Sequence, residues 1–368
     1  MCCKRRTDEV IIILQVLLVI IAVLLFGFIV FIHEFGHFIT AKLSGIRVNE
    51  FAIGMGPTLF HFQKGETKYA LRLLPIGGFC AMEGEDEDSS EEGSFGSKPV
   101  WKRILVVVMG AVMNIVLGLV LMMILLGQQP AFNSTTIGKF QDGAATQAAG
   151  LQIGDTFTSV DGYKVNTDRD LSFALATANP DSVDVEVLRD GQTITFPDVK
   201  FNTKDNNGKP MLMLDFYVEP IQKNVGTLLV KSWQDTVSTV RMVWYSLAGL
   251  LSGQFGLNDM AGPVGAASAI GEVASQGLAQ SFGTAINNIL YMMMIITVNL
   301  GVVNLLPFPA LDGGRLVFLV VEAVRRKPIN PKYEGWVNAA GFVLLMCLMV
   351  VITFSDILRL VTGKGLGG

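Results

Sequence analysis

Val10–Ile32 contains a single clearly polar residue, Gln15, and three later stretches repeat that pattern: Ile104–Leu126, a run from near Ala285 through Ile289–Val303, and Trp336–Ile352. A helix rises about 1.5 Å per residue, so about 20 such residues cross a bilayer core of about 30 Å. The pattern predicts a polytopic α-helical membrane protein of about four spans. A first span starting at Val10 leaves the hydrocarbon near Ile29 or Val30, which puts the residues after Ile32 at the membrane face. A different stripe recurs at Val230, Trp233, Val237, Val240, Trp244, Leu247 and Leu251, with Lys231, Gln234, Asp235, Ser238 and Arg241 off it. That spacing predicts an amphipathic helix lying on the membrane surface or against the protein.

Between the spans the periodicity turns to strands. Gly54-Met-Gly56-Pro57 reads as a turn. Thr58–Gln63 and Thr67–Leu74, joined through Gly65, read as a β-hairpin that Pro75-Ile-Gly77-Gly78 ends. Gln128–Phe282 is the long hydrophilic region, and its first half alternates strand signals with one helix over Asp168–Ala178 and an Asp190-Gly191 hairpin turn. The expected organisation is a first span over 1–43, a membrane-associated β-hairpin with an acidic loop over 44–99, a second span over 100–127 and a β-rich domain over 128–203. An amphipathic helix and connector over 204–284 and the last two spans over 285–368 follow. The basic residues of Leu43–Arg103 and of Arg325–Lys332 place those loops in the cytosol and Gln128–Phe282 outside, against the opposing vote of Lys4, Arg5 and Arg6.

Composition agrees with a membrane protein: hydrophobic residues make up 51%, charged residues 16%, and mean hydropathy is +0.48, against about 25% charged in soluble domains. A net charge of −4 leaves no footprint for nucleic acid. Cys2, Cys3, Cys80 and Cys347 have no spacing that suggests a disulfide framework or a zinc ribbon. The block Glu83–Glu92 reads as a solvated loop and lacks the ligand spacing of an EF-hand. His61, alone on a strand, reads as a surface or packed residue.

The chemistry lies at His33-Glu34-Phe35-Gly36-His37, at the end of the first apolar run. Two histidines four apart share one helix face, and His-Glu-x-x-His is the pattern that binds zinc through both imidazoles with the glutamate beside the attacking water. The chain has 3 histidines in 368 residues, so two of them in this motif, beside a span where ionisable groups are costly, favour function over a structural role. A catalytic zinc site takes a third protein ligand. Asp312 is the candidate: it is the acidic residue after the third span, where Pro307 and Pro309 break the helix. The alternative for Asp312 is a helix N-cap.

Ala149-Gly-Leu-Gln-Ile-Gly-Asp155, followed by a strand and Asp161-Gly162, resembles a PDZ domain of the bacterial protease type. That likeness implies strand-addition binding of peptides, with Gly150, Leu151 and Ile153 at the groove. The paired motifs His33-Glu-Phe-Gly-His37 and Asn304-x-x-Pro307-x-Pro309-x-Leu-Asp312-Gly313, with Lys98-Pro-Val-Trp-Lys-Arg103 and Gly262-Pro-Val-Gly265, resemble the bacterial site-2 proteases. One PDZ-like unit rather than two is similar to the Gram-positive type. The resemblance implies a multi-pass protein of the bacterial plasma membrane with an extracytoplasmic PDZ domain and an active site near the cytosolic face. One Zn²⁺ would be held by His33, His37 and Asp312, and Glu34 would take the proton of the attacking water. Asn304, Pro307 and Pro309 would shape the cleft, with Asn299 assisting. The implied substrates are single-span membrane proteins, anti-sigma factors and signal-peptide remnants, unwound along the Thr58–Leu74 hairpin and gated by the PDZ domain. Two alternatives stay open on the residues: a membrane-anchored zincin that cuts soluble segments, and a PDZ-bearing scaffold.

Overall fold

The computed structural model describes residues 2–85, 91–206, 209–254, 256, 260, 262–327 and 329–362. Asp86, Glu87 and Asp88 of the acidic block and the Gly-rich tail after Thr362 lie outside them. In chain order the elements are α1 (Cys2–Leu43), β1 (Val48–Lys64), β2 (Thr67–Met82), α2 (Val100–Gly127), β3 (Ala131–Phe140), α3 (Ala145–Ala148), β4 (Thr156–Val160), β5 (Tyr163–Lys164), α4 (Asp168–Thr177), β6 (Val183–Arg189), β7 (Gln192–Val199), β8 (Asn202–Asn206), β9 (Lys209–Met213), β10 (Phe216–Gln222), α5 (Val225–Ser252), α6 (Pro263–Leu278), α7 (Phe282–Asn304), α8 (Asp312–Arg325) and α9 (Pro331–Thr362). They form two compact units, Met122–Tyr245 and the remainder.

Four helices among the described residues are long and apolar enough to cross a membrane: Ile20–Leu43, Val100–Gly127, Phe282–Asn304 and Lys332–Arg359. The protein is a multi-pass membrane protein. α1 continues unbroken to Leu43 and carries the His-Glu-x-x-His motif within its length. One face of α1 carries Phe31, Phe35 and Phe38, at the i, i+4, i+7 spacing of a helical stripe. Phe38 lies 4.8 Å, centroid to centroid, from Phe51 of β1 and 5.9 Å from Tyr69 of β2, so aromatic packing docks the ribbon on that face. The histidines occupy another face.

The ribbon departs from the expected hairpin. Gly54-Met-Gly56-Pro57 and Pro75-Ile-Gly77-Gly78 lie within β1 and β2 rather than ending them. Gly54 and Gly77 have φ of 83° and 86°, a region open to glycine, and here it serves bulges that bend the ribbon. Phe51 is therefore opposite both Cys80 and Tyr69, and Ala52 opposite both Phe79 and Ala70. Thr67–Leu71 is flanked on both sides, by Lys64–Phe60 and by Glu50–Ile53. The strand edge nearest the motif is Gly78–Met82 instead: a Cβ on Gly78 would stand 3.4 Å from Glu34 Cγ.

α7 ends at Asn304, and the chain breaks at Pro307 and Pro309 before α8 starts at Asp312. Gly313 allows this, since a Cβ there would overlap the Leu306 carbonyl oxygen. At the N-terminus of α6, Gly265 donates its backbone N–H to Asp356 Oδ2 of α9 at 2.7 Å, which explains why the Gly-Pro-Val-Gly string carries no side chain at that point.

The smaller unit is a sheet of order β10-β3-β4-β6-β7, with β5 paired to β4. Its core joins Ile137, Leu151, Phe157, Leu171, Val185 and Val187 to Leu212 and Phe216. The boundary expected at 203 thus leaves out core residues, and 204–222 is the β8–β9 hairpin followed by β10 rather than a connector. α4 begins with a capping box between Thr167 and Asp170. The stripe at 230–251 does form a helix, α5, but its polar face is the buried one. Lys231, Ser232, Asp235 and Ser238 are buried while Trp233 and Trp244 are 59% and 49% exposed. Ion pairs explain the inversion: Lys231 reaches Asp168 at 2.6 Å and Asp235 at 3.1 Å, and Arg241 reaches Asp170 at 2.7 Å.

Candidate metal centre

Three side chains from two distant parts of the chain converge. His33 Nε2 lies 3.1 Å and His37 Nε2 3.4 Å from Asp312 Oδ2, and the two Nε2 atoms are 3.2 Å apart. Ligand atoms about 2.0–2.1 Å from a tetrahedral Zn²⁺ stand about 3.3 Å from one another, the edge of the tetrahedron. Asp312 Oδ2 is a buried atom without a hydrogen-bond donor of its own, as expected for an oxygen aimed at a cation rather than at an N–H. Two imidazoles and one carboxylate are a donor set that suits Zn²⁺, so the residues present fit that ion. Among the described residues no other His, Cys, Asp and Glu side chains converge in this way.

Each ligand position has a local cause. On α1, helical spacing brings the two histidines to one face, and His37 Nδ1 donates to the Val106 carbonyl oxygen on α2 at 2.9 Å. On α8, Asp312 is the first helical residue and Leu311 occupies the cap position with no side-chain bond. The Asp312 carboxylate therefore points to the imidazoles rather than capping its own helix.

Asn304 places its amide 3.4 Å from His33 Nε2, at the edge of the cluster. Pro309 packs under α9, where a Cβ on Gly341 would overlap it, and Pro307 is exposed. Asn299 is not brought to the cluster: it is on the exposed face of α7, five residues and about 140° around the helix from Asn304. In the smaller unit Leu151 is a core residue, Ile153 is 63% exposed in a turn, and the Gly150 carbonyl oxygen accepts from Arg189 at 3.0 Å.

Charged residues of the Lys98–Arg103 string and of the acidic block form ion pairs and hydrogen bonds with distant parts of the chain. Arg103 of the Lys98–Arg103 string pairs with Glu322 on α8. From the acidic block, Glu83 accepts from Asn49 at 2.7 Å, Glu91 pairs with Arg47 at 3.2 Å, and Glu85 pairs with Arg315. Their partners are 34 to 230 residues away, a separation that a local motif search does not cross.

Two histidines on an apolar helix facing an aspartate are the arrangement of a metalloendopeptidase of the site-2 protease class. The chain belongs to peptidase family M50, whose sequence pattern matches residues 21–348. It is 38% identical to a Clostridium perfringens protein that bears a zinc metalloprotease name, over 92% of this chain and 97% of that one. It is 33% identical to the Bacillus subtilis regulator of sigma-W protease RasP, over 92% and 97%, and 30% identical to the Bacillus licheniformis zinc metalloprotease RasP, over 92% and 98%.

Proposed function

We propose that the chain is a zinc-dependent intramembrane endopeptidase that cuts single-span membrane proteins within their apolar segments. The convergence of His33, His37 and Asp312 within hydrogen-bonding distance of one another, next to Glu34, carries this reading. His33 and His37 would hold the metal through Nε2 and Asp312 through Oδ2. Bound there, Zn²⁺ supplies a lowered pKa for water and polarises a carbonyl.

The chain's own residues do the rest. Glu34 takes the proton of the attacking water and returns it to the leaving nitrogen. Asn304 donates its amide N–H to the substrate backbone beside the scissile bond. Pro307 and Pro309 hold the chain out of helix, which leaves room for an extended substrate. A helical substrate keeps its carbonyls in i→i−4 bonds, so it must unwind first, and an open strand edge is a receptor for unwound backbone. Gly78–Met82, running past Glu34, is that edge. It replaces the expected Thr58–Leu74 hairpin, in which Thr67–Leu71 is flanked by strands on both sides.

The substrates on this reading are anti-sigma factors and signal-peptide remnants, in keeping with the sigma-W regulator among the relatives. The smaller unit is an extracytoplasmic PDZ-like domain that gates their entry, and the centre lies near the cytosolic face of the plasma membrane. The test is cleavage of a single-span reporter by the purified protein in detergent, with the cut mapped by mass spectrometry. Cleavage inside the apolar segment, abolished by Glu34→Gln and by chelation, supports the proposal. A cut confined to a soluble flank, or one that survives Glu34→Gln, overturns it.

A further inference from the structure

We infer that Asn114 on α2 is a positioning residue for the metal, acting through His33. The inference rests on the reading of His33 as a ligand. His33 Nε2 points at Asp312 Oδ2 and His37 Nε2, so Nε2 is the coordinating nitrogen and must carry no proton. The ring proton is then on Nδ1 and needs an acceptor. His37 meets the same need with a main-chain oxygen, that of Val106. At His33 Nδ1 the facing group is a side chain, the Asn114 amide, 3.2 Å away.

Asn114 is fully buried, and in this orientation of its amide Oδ1 has no hydrogen-bond partner. The oxygen and nitrogen of an amide exchange places by a half-turn about χ2. Turned that way, Oδ1 faces His33 Nδ1–H and accepts its proton. Val106, Gly110 and Asn114 follow one another at four-residue intervals, on one face of α2. Val106 gives its carbonyl to His37, Gly110 gives space to both rings, and Asn114 gives its amide oxygen to His33. Thr297 on α7 donates Oγ1–H to the Asn114 carbonyl at 3.1 Å, which fixes that turn of the helix.

Partners of this kind hold a ligand in the coordinating tautomer, and their loss costs about 10–100-fold in metal affinity. Without an acceptor, His33 either buries an unpaired Nδ1–H or moves the proton to Nε2, where it blocks coordination.

The test is zinc affinity of the full-length protein in detergent, with free Zn²⁺ set by a chelator buffer and bound metal counted by mass spectrometry. Asn114→Leu keeps the volume and removes the acceptor; it is expected to bind zinc about 10–100-fold more weakly. Asn114→Asp keeps an acceptor at that position and is expected to bind at least as tightly as wild type. If the leucine variant does not elute as a folded species, Asn114→Ala carries the same expectation. Zinc affinity equal to wild type in the acceptor-less variant overturns the inference, as does an Asn114→Asp that falls with it. Zinc binding by wild type that His33→Ala leaves unchanged sinks the ligand reading itself.

Discussion

Arg315, one turn beyond Asp312 on α8, is held by Glu85, which pairs with its guanidinium and accepts a further bond from Nη2 at the main-chain oxygen, 3.2 Å away. Glu85 Oε2 also accepts the Met82 N–H at 3.2 Å. One carboxylate thus ties the end of the Gly78–Met82 edge to the helix that carries Asp312. The expected result of Glu85→Gln or Arg315→Gln is a stability loss of about 1–3 kcal/mol, in the range of hydrogen bonds to charged groups. It should come with a raised KM for the reporter and little change in zinc content. The exchange Glu85→Arg with Arg315→Glu should recover part of the loss. Thermal unfolding and reporter kinetics on the same preparations check this, and zinc loss without a KM effect would point to a purely structural pair.

Gly110 is where α2 makes room for the metal centre. A Cβ there would overlap the His37 imidazole nitrogen and stand 2.9 Å from His33 Cε1. Gly110→Ala should displace Nε2 of His37 and abolish zinc retention and cleavage while the helices stay folded. Gly127→Ala, at the end of the same helix with nothing within 4 Å of the new Cβ, should leave both intact. Metal content by mass spectrometry and helicity by circular dichroism separate the two variants.

The legible parts of the molecule were those with a short-range signal. Four apolar runs mark spans without reference to anything else in the chain, and His33, Glu34 and His37 mark themselves by spacing. Asp312 was found because an acidic residue after a proline-broken apolar run is rare. Asn114 and Glu85 had no such mark: their partners are 81 and 230 residues away. A positive φ serves a turn and a bulge equally, so the glycines at Gly54 and Gly77 do not tell the two apart. For α5 the stripe predicted the helix, but not which face is covered, since Lys231 and Asp235 are buried against charges on α4 that only the fold brings near.

The extra strands of the smaller unit make a prediction about its limits. Leu212 and Phe216 belong to the same core as Phe157 and Leu171, and Phe216 stacks on Phe157 at 5.2 Å. Asp215, between them, is buried and accepts from Thr146 Oγ1 at 2.6 Å and Thr146 N at 3.1 Å. A fragment 128–203 lacks all three. It should be unfolded by circular dichroism and lack dispersed amide signals, whereas 128–245 should fold. Asp215→Asn in the longer fragment should cost about 1–3 kcal/mol, as a buried hydrogen-bonded charge does. A folded 128–203 would show that β10 is an accessory strand.

Cys80 is a built-in reporter of the ribbon's closure. It is on β2 opposite Phe51 and buried in the core with Phe95 and Val106. Burial pushes its thiol above the ordinary range, and the carboxylates of Glu34 and Glu85 push it further. The thiolate is the reactive form, so at pH 8 Cys80 should react with a maleimide far more slowly than a free cysteine. The rate should rise with pH across the accessible range without reaching a plateau, since deprotonation is incomplete throughout. In a background of Cys2→Ser, Cys3→Ser and Cys347→Ser, the reaction should accelerate when Glu85→Gln releases the edge strand, because solvent then reaches the sulfur and one repelling carboxylate is gone. An extended peptide bound along Gly78–Met82 should slow it instead. Equal labelling rates in the background protein, the Glu85→Gln variant and the peptide complex would mean that the edge strand keeps one position, and that substrate reaches Glu34 by another face.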